Sequence, residues 1–214
     1  MDEANSTMAR YYFFTIVTAI FEDDTRDIVD KEVTCRFLDV LKVQKFSIVT
    51  ENHPIPLYIL QAARKFESIS ATFSTKCLYK KEALFLLNDI TVDDFYMDSY
   101  VREVYKHRQP LKHLKMTLEN APWFTKENLM SLECEELIVT YAKITEEHFC
   151  EFLEKWKEGQ FPKLKRLRID NSDNLFFWFS FMFDRNGSQL ITDYRGNIGY
   201  LKTDSHTWTF IVDS

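Results

Sequence analysis

Glycine and proline are scarce in this chain, four and five among 214 residues, while phenylalanine alone contributes 19. That composition excludes a collagen-like or low-complexity polypeptide and points to a folded, aromatic-rich core. The four glycines stand at 159, 187, 196 and 199. None completes a phosphate-cradling G-x-x-x-x-G-K-[ST], a dinucleotide G-x-G-x-x-G or a G-x-S-x-G nucleophile elbow, so three large enzyme classes lose their strongest signals. Gly196-Asn197-Ile198-Gly199 has the outline of a nucleic-acid-clamping loop, but it lies between Asp193-Tyr194-Arg195 and a strand-like Tyr200-Leu201-Lys202, which marks a hairpin turn.

Cysteine is equally sparse. Cys35, Cys77, Cys134 and Cys150 form no C-x-x-C pair and no dense framework, which reads as reduced thiols in the cytoplasm or nucleus. The histidines at 53, 107, 113, 148 and 206 include no H-E-x-x-H, so neither a metal nor a cofactor is expected. His148-Phe149-Cys150-Glu151 is no catalytic pair, because helical register turns Phe149 inward and leaves His148 and Cys150 flanking it. The two most apolar runs, YYFFTIVTAIF at 11–21 and LFFWFSFMF at 175–183, fall short of the roughly 20 residues that span a bilayer. The acids before the first run also argue against a signal peptide. With 27 basic and 33 acidic residues the net charge is -6, and neither nucleic acid nor membrane is expected as a partner.

What the chain does have is a recurring spacing. Apolar residues at i, i+3 and i+5 occur at Val43/Phe46/Ile48, Phe66/Ile69/Ala71, Leu111/Leu114/Met116, Cys134/Leu137/Val139 and Leu164/Leu167/Ile169, with a weaker copy at Lys81/Leu84/Leu86. Starts 81 and 134, like 111 and 164, differ by 53 residues, as if a two-strand unit were repeated. Between the later strands Phe149, Phe152, Leu153 and Trp156 form the stripe of an amphipathic helix, with Thr145 as its cap and Gly159 and Pro162 after its end. A second helix is expected in the matching stretch after Thr91, a third over 56–65 and a short one over 126–132; residues 11–21 read as a strand. Strands alternating with helices at these lengths give an α/β fold: a leucine-rich-repeat-like open solenoid of parallel strands with outer helices, closed by a C-terminal β-hairpin within 184–214. Residues 1–10 are expected to be flexible and 11–214 to form one domain.

Strand residues alternate between faces, so the residues between the apolar positions share an open surface. The expected partner-binding face carries Lys45, Ser68, Ser70, Phe85, His113, Lys115, Glu136, Ile138, Arg166, Arg168 and Asp170. These residue types suit protein-protein interaction without catalysis. The sequence leaves two other functions open. One is a small hydrolase or transferase using His113, Glu136 and Asp170; the other is an RNA-binding module with aromatics beside Lys or Arg.

The stretch 132–171 also resembles the nematode F-box-associated domain of the second type. The resemblance is carried by Leu137, Thr145, Phe149, Trp156, Gly159, Pro162, Leu164, Leu167 and Ile169, a strand followed by a Thr-led helix, Trp, Gly, Pro and a Leu-rich strand. A weaker likeness covers Tyr194 to Val212, with Arg195 where the family carries an acid. The resemblance implies substrate recognition for a ubiquitin ligase of the SCF type. An F-box, which docks on a Skp-type adaptor, opens with Leu-Pro and a Leu-rich helical run. Here the first proline is Pro54, so the recognition half is expected without the F-box and without the adaptor.

Overall fold

The computed structural model describes residues 17–19, 45–50, 70–102, 106–171, 188–203 and 207–213. They form a mixed α/β arrangement around one ten-stranded sheet. In chain order the described elements are β1 (Val17–Ala19), β2 (Lys45–Thr50), β3 (Ser70–Leu78), α1 (Lys80–Asp89), β4 (Asp94–Val101), β5 (Lys115–Glu119), α2 (Lys126–Leu129), β6 (Glu136–Ala142), α3 (Glu146–Lys157), β7 (Arg166–Asn171), β8 (Ser188–Thr192), β9 (Ile198–Thr203) and β10 (Thr207–Asp213). Strands β1 to β7 lie side by side in sequence order, all parallel. Beyond β7 the order is β10, β9, β8 with antiparallel pairing, so the expected C-terminal hairpin is a three-stranded meander whose final member returns to β7.

The parallel strands are stacked in register. One row of paired positions runs Phe46, Ala71, Phe95, Met116, Leu137, Leu167, and a second runs Ile48, Phe73, Met97, Leu118, Val139, Ile169. From Ala71 and Phe73 onward every member of both rows is buried, and the buried residues of the helices, Leu86 of α1, Leu129 of α2 and Phe149 and Phe152 of α3 among them, belong to the same core. Two rows of apolar side chains two residues apart are what a pleated strand needs to seal one face.

This register corrects three expectations. The segment at Lys81/Leu84/Leu86 is helix α1, whose buried Ala83, Leu86 and Leu87 sit at i, i+3 and i+4. Glu82 Oε2 accepts a 2.8 Å hydrogen bond from the Tyr79 amide at its start. Phe85 therefore lies on a helix, packed partly buried against the core, and not on the sheet face. Conversely, the stretch after Thr91 is strand β4, with Phe95, Met97, Ser99 and Val101 buried at every second position. Finally, the inward set before β5 is shifted by two residues: Leu114 is exposed, and His113, Met116 and Leu118 occupy the i, i+3, i+5 places that Cys134, Leu137 and Val139 fill in β6. Val92, Phe95 and Met97 repeat the same spacing in β4. The expected strand at Phe66/Ile69 and the helix over 56–65 lie outside the described residues, as does the run at 175–183.

The helix expected after Thr145 is α3. Thr145 Oγ1 accepts from the His148 amide at 3.3 Å, and the Thr145 amide donates back to His148 Nδ1 at 3.3 Å. Glu146 and Glu147 stand in its first turn and Lys155 and Lys157 in its last, matching the helix dipole. Its buried face meets the meander: Phe149 stacks on Trp208 with ring centroids 4.6 Å apart, and Trp156 meets Phe210 edge-on at 4.9 Å.

Two glycines make this docking possible. Gly159 adopts φ +81°, and a Cβ there would fall 2.2 Å from the Tyr194 ring. The Tyr194 amide donates to the Lys157 carbonyl at 3.0 Å, fastening the β8–β9 turn to the end of α3. A Cβ on Gly199 would lie 2.5 Å from the Phe210 ring and 3.1 Å from Trp156. Gly199→Ala is expected to cost about 1–3 kcal/mol of stability, measured by denaturant unfolding, because both rings are buried in the core and must shift to admit a methyl group. An unchanged unfolding midpoint would refute the close packing of the meander on α3.

Candidate functional site

The face turned away from the core is built by the residues between the buried rows. Its first cross-strand row pairs Lys45, Ser70, Asp94, Lys115, Glu136 and Arg166, then continues through Ile211, Tyr200 and Leu190. The second pairs Ser47, Thr72, Tyr96, Thr117, Ile138 and Arg168, then Thr209 and Lys202. Directly opposed residues share a face in both parallel and antiparallel ladders, so the named members of the first row run from β2 to β8 and those of the second from β2 to β9.

From Asp94 to Arg166 the first row alternates in sign. Lys115 Nζ lies 2.7 Å from Glu136 Oε1, and this hydrogen-bonded ion pair raises the Lys115 pKa above its ordinary value. In β7 the Arg168 guanidinium makes a bidentate pair with Asp170, Nε to Oδ1 and Nη2 to Oδ2 both at 3.1 Å. Arg166 has no carboxylate partner among the described residues. Tyr96 is half-buried within the second row, and its phenol is pushed up to about 12 by burial first and then by the Glu119 carboxylate to which it is hydrogen-bonded.

At the C-terminal ends of the strands a polar cluster closes the face. Asn120 Nδ2 donates to Asp98 Oδ1 at 2.7 Å, and the Asn120 amide donates to Thr140 Oγ1 at 3.2 Å. Asn120 and Tyr141 both hold φ of 57°. Tyr141 sits where the β6–β7 register shifts between Thr140 and Ala142, a bulge that leaves its ring exposed.

Of the residues expected on this face, Lys45, Ser70, Lys115, Glu136, Ile138, Arg166, Arg168 and Asp170 occupy outward strand positions. Ser68 lies outside the described residues. Two are elsewhere: Phe85 on α1, and His113, which is 5% exposed. The His113 ring stacks on Phe95 at 4.5 Å and its Nδ1 donates to the Val92 carbonyl at 3.1 Å. Burial holds its pKa below 6.5. His113 thus stands on the core side of the sheet, and the residue opposite Glu136 is Lys115. The grouping of His113, Glu136 and Asp170 that a hydrolase or transferase would need does not form.

The C-terminal meander adds residues that the sequence reading missed. Leu190, Ile198, Tyr200 and Ile211 are all exposed large apolar side chains, and three of them are consecutive members of the first row. Their signal is the alternation of TWTFIVD and IGYLKT: once Trp208, Phe210, Gly199 and Leu201 are inward, Ile211, Ile198 and Tyr200 must face out.

Other chemistry is sparse among the described residues. Cys77, Cys134 and Cys150 are free; burial pushes the Cys134 thiol up to about 12, far from a reactive thiolate. No group of three His, Cys, Asp or Glu among the described residues is placed to hold a metal ion, and no described helix is long and apolar enough to cross a membrane. In the middle of the chain, residues 106–169, from the approach to β5 into β7, match the family model described as F-box associated. No curated protein and no solved structure matches the chain.

Proposed function

Starting from the F-box associated match over 106–169, we propose that the chain is a protein-interaction module whose open sheet face receives a partner, as the substrate-recognition half of an SCF-type ubiquitin ligase receptor does. The observation that carries the proposal is the continuous outward face of β2 to β7, in register and lined by Lys45, Ser70, Lys115, Glu136, Ile138, Arg166, Arg168 and Asp170. Parallel sheets are ordinarily covered on both sides, and a solenoid that leaves one side polar commonly uses it for binding. A leucine-rich-repeat-like arrangement is part of this reading. It is supported by the parallel succession of strands, whose paired positions Phe46, Ala71, Phe95, Met116, Leu137 and Leu167 recur every 21 to 30 residues. The free thiols favour a reducing compartment, cytoplasm or nucleus.

The test is capture from cell extract with crosslinking and mass spectrometry, comparing the native chain with Lys115→Glu, Arg166→Glu and Arg168→Glu combined. At least a tenfold loss of the captured partner is expected with an unfolding midpoint close to the native one, because exposed ion pairs contribute only about 0–1 kcal/mol. Capture that survives the three reversals would remove the face assignment. Crosslinks that map to the helices instead would do the same.

A further inference from the structure

We propose that the meander carries the docking site for an acidic polypeptide segment bearing apolar side chains. The claim rests on the reading that the open face takes a protein partner, and it fixes where and of what chemistry. Leu190, Tyr200 and Ile211 are 64%, 44% and 44% exposed, and Ile198 beside them is 40% exposed. They occupy adjacent strands in the order β8, β9, β10, with Arg166 of β7 completing the row. Neighbouring strands lie about 4.8 Å apart, so the apolar trio spans about 10 Å, enough for two or three partner side chains. Exposed apolar residues scattered singly are ordinary, whereas a contiguous set on one face marks an interaction surface.

Charge decides the partner. The next row places Arg168, Thr209 and Lys202 alongside, so cations border the apolar patch at Arg166, Arg168 and Lys202, with one exposed carboxylate, Asp213, opposite Ile198 at its outer corner. Arg168 is engaged by Asp170, while Arg166 and Lys202 have no carboxylate partner among the described residues. At the other end of the face the balance reverses, with Asp94, Asp98 and Glu119 on β4 and β5 against Lys115 and Lys45. In a chain of net charge -6 the meander is therefore the part of the face that attracts carboxylates, and its apolar floor selects for aliphatic or aromatic neighbours of those carboxylates. The apolar residues of the patch lie outside residues 106–169, the segment that matches the F-box associated family, whereas Arg166 and Arg168 lie within it.

A random 12-residue peptide display library, panned on the full chain, tests the proposal. Selected peptides are expected to combine Asp or Glu with Leu, Ile, Phe, Tyr or Trp, and their affinity is expected to fall at least tenfold in Arg166→Glu/Lys202→Glu. A similar fall is expected in Leu190→Ser/Tyr200→Ser. All four side chains are exposed, so unfolding midpoints should stay near the native value. Absence of binders, selected peptides without acidic enrichment, or binding indifferent to both double variants would overturn it. Sedimentation showing a dimer abolished by Leu190→Ser/Tyr200→Ser would overturn it in favour of a second copy, and tight single-stranded RNA binding lost in Arg166→Glu/Lys202→Glu would overturn it in favour of nucleic acid. If the crosslinked partner depends on Lys115 but not on these four residues, the open-face reading stands and the meander drops out of it.

Discussion

Phe152→Ala is expected to destabilise the chain by about 3–5 kcal/mol, as much as any single truncation in the aromatic cluster of α3. Phe152 is fully buried on α3 and meets three rings: Phe149 of its own helix at 5.6 Å, Phe161 in the loop after the helix at 4.9 Å, and Phe210 in β10 at 6.0 Å. Removing it opens a cavity whose walls are rings held by sheet and helix, so little collapse can offset the loss. Equilibrium urea unfolding followed by tryptophan fluorescence reads the effect, since Trp156 and Trp208 sit in the same cluster. A loss under 1 kcal/mol would mean that the meander does not pack on α3. Phe152→Leu, which keeps most of the volume, should recover more than half of the stability.

The second large effect is on acid stability. His107 is 1% exposed, and burial pushes its pKa down to about 4, with a hydrogen bond involving the Gln109 backbone opposing the shift. His113 is shifted in the same direction by burial. Unfolded, both histidines titrate near 6.5, so below that pH the unfolded chain binds more protons than the native one and stability falls. For a folded value near 4 the full loss from His107 is about 3 kcal/mol, and about 2 kcal/mol of it is already reached at pH 5. His113 adds to it. Carboxylates act lower: Glu127, held down by the Thr125 hydroxyl, and Glu151, held down by Lys126, contribute stability that disappears only as pH falls below about 4.5. Glu82 and Glu146, whose carboxyls burial raises above 4.5, act in the opposite direction as pH falls, so a net loss of urea midpoint between pH 7.5 and 5 reports the histidines. A midpoint that does not move across that window contradicts their burial, and His107→Gln should flatten most of the slope.

The helix α3 could be read from the sequence because its signals agree: an apolar stripe, a threonine cap, acids first and lysines last. The strands β6 and β7 were legible for the same reason, with Cys134/Leu137/Val139 and Leu164/Leu167/Ile169 apolar at every inward place. Further upstream one polar residue defeats the template. His113 fills the place of Cys134, satisfied by the Val92 carbonyl and stacked on Phe95, and a search for three apolar residues skips it and settles on Leu111/Leu114/Met116. That shift hid the Val92/Phe95/Met97 copy and put strand and helix in each other's places over 80–101. Local pattern alone could not separate them, since KKEALFLLND contains both a two-residue alternation, Leu84/Leu86, and a helical stripe, Ala83/Leu86/Leu87. The open face inherited the error at Phe85 and His113, while Lys115, Glu136 and Arg166 point outward because the strands that carry them obey the alternation. The apolar part of the face escaped notice because it lies on antiparallel strands outside the repeat, where outwardness follows only from pairing with β7.

The insertion of β10 between β7 and β9 sets a timetable for folding. During synthesis α3 emerges well before Trp208 and Phe210, the rings that cover it. Until those residues arrive, Phe149, Phe152 and Trp156 form an exposed aromatic surface on a nascent chain, the kind of surface that holdase chaperones bind and that aggregates when release is premature. Translation stalled near residue 200 should accordingly leave the ribosome-bound chain protease-sensitive, and release of β10 from the ribosome should make it resistant.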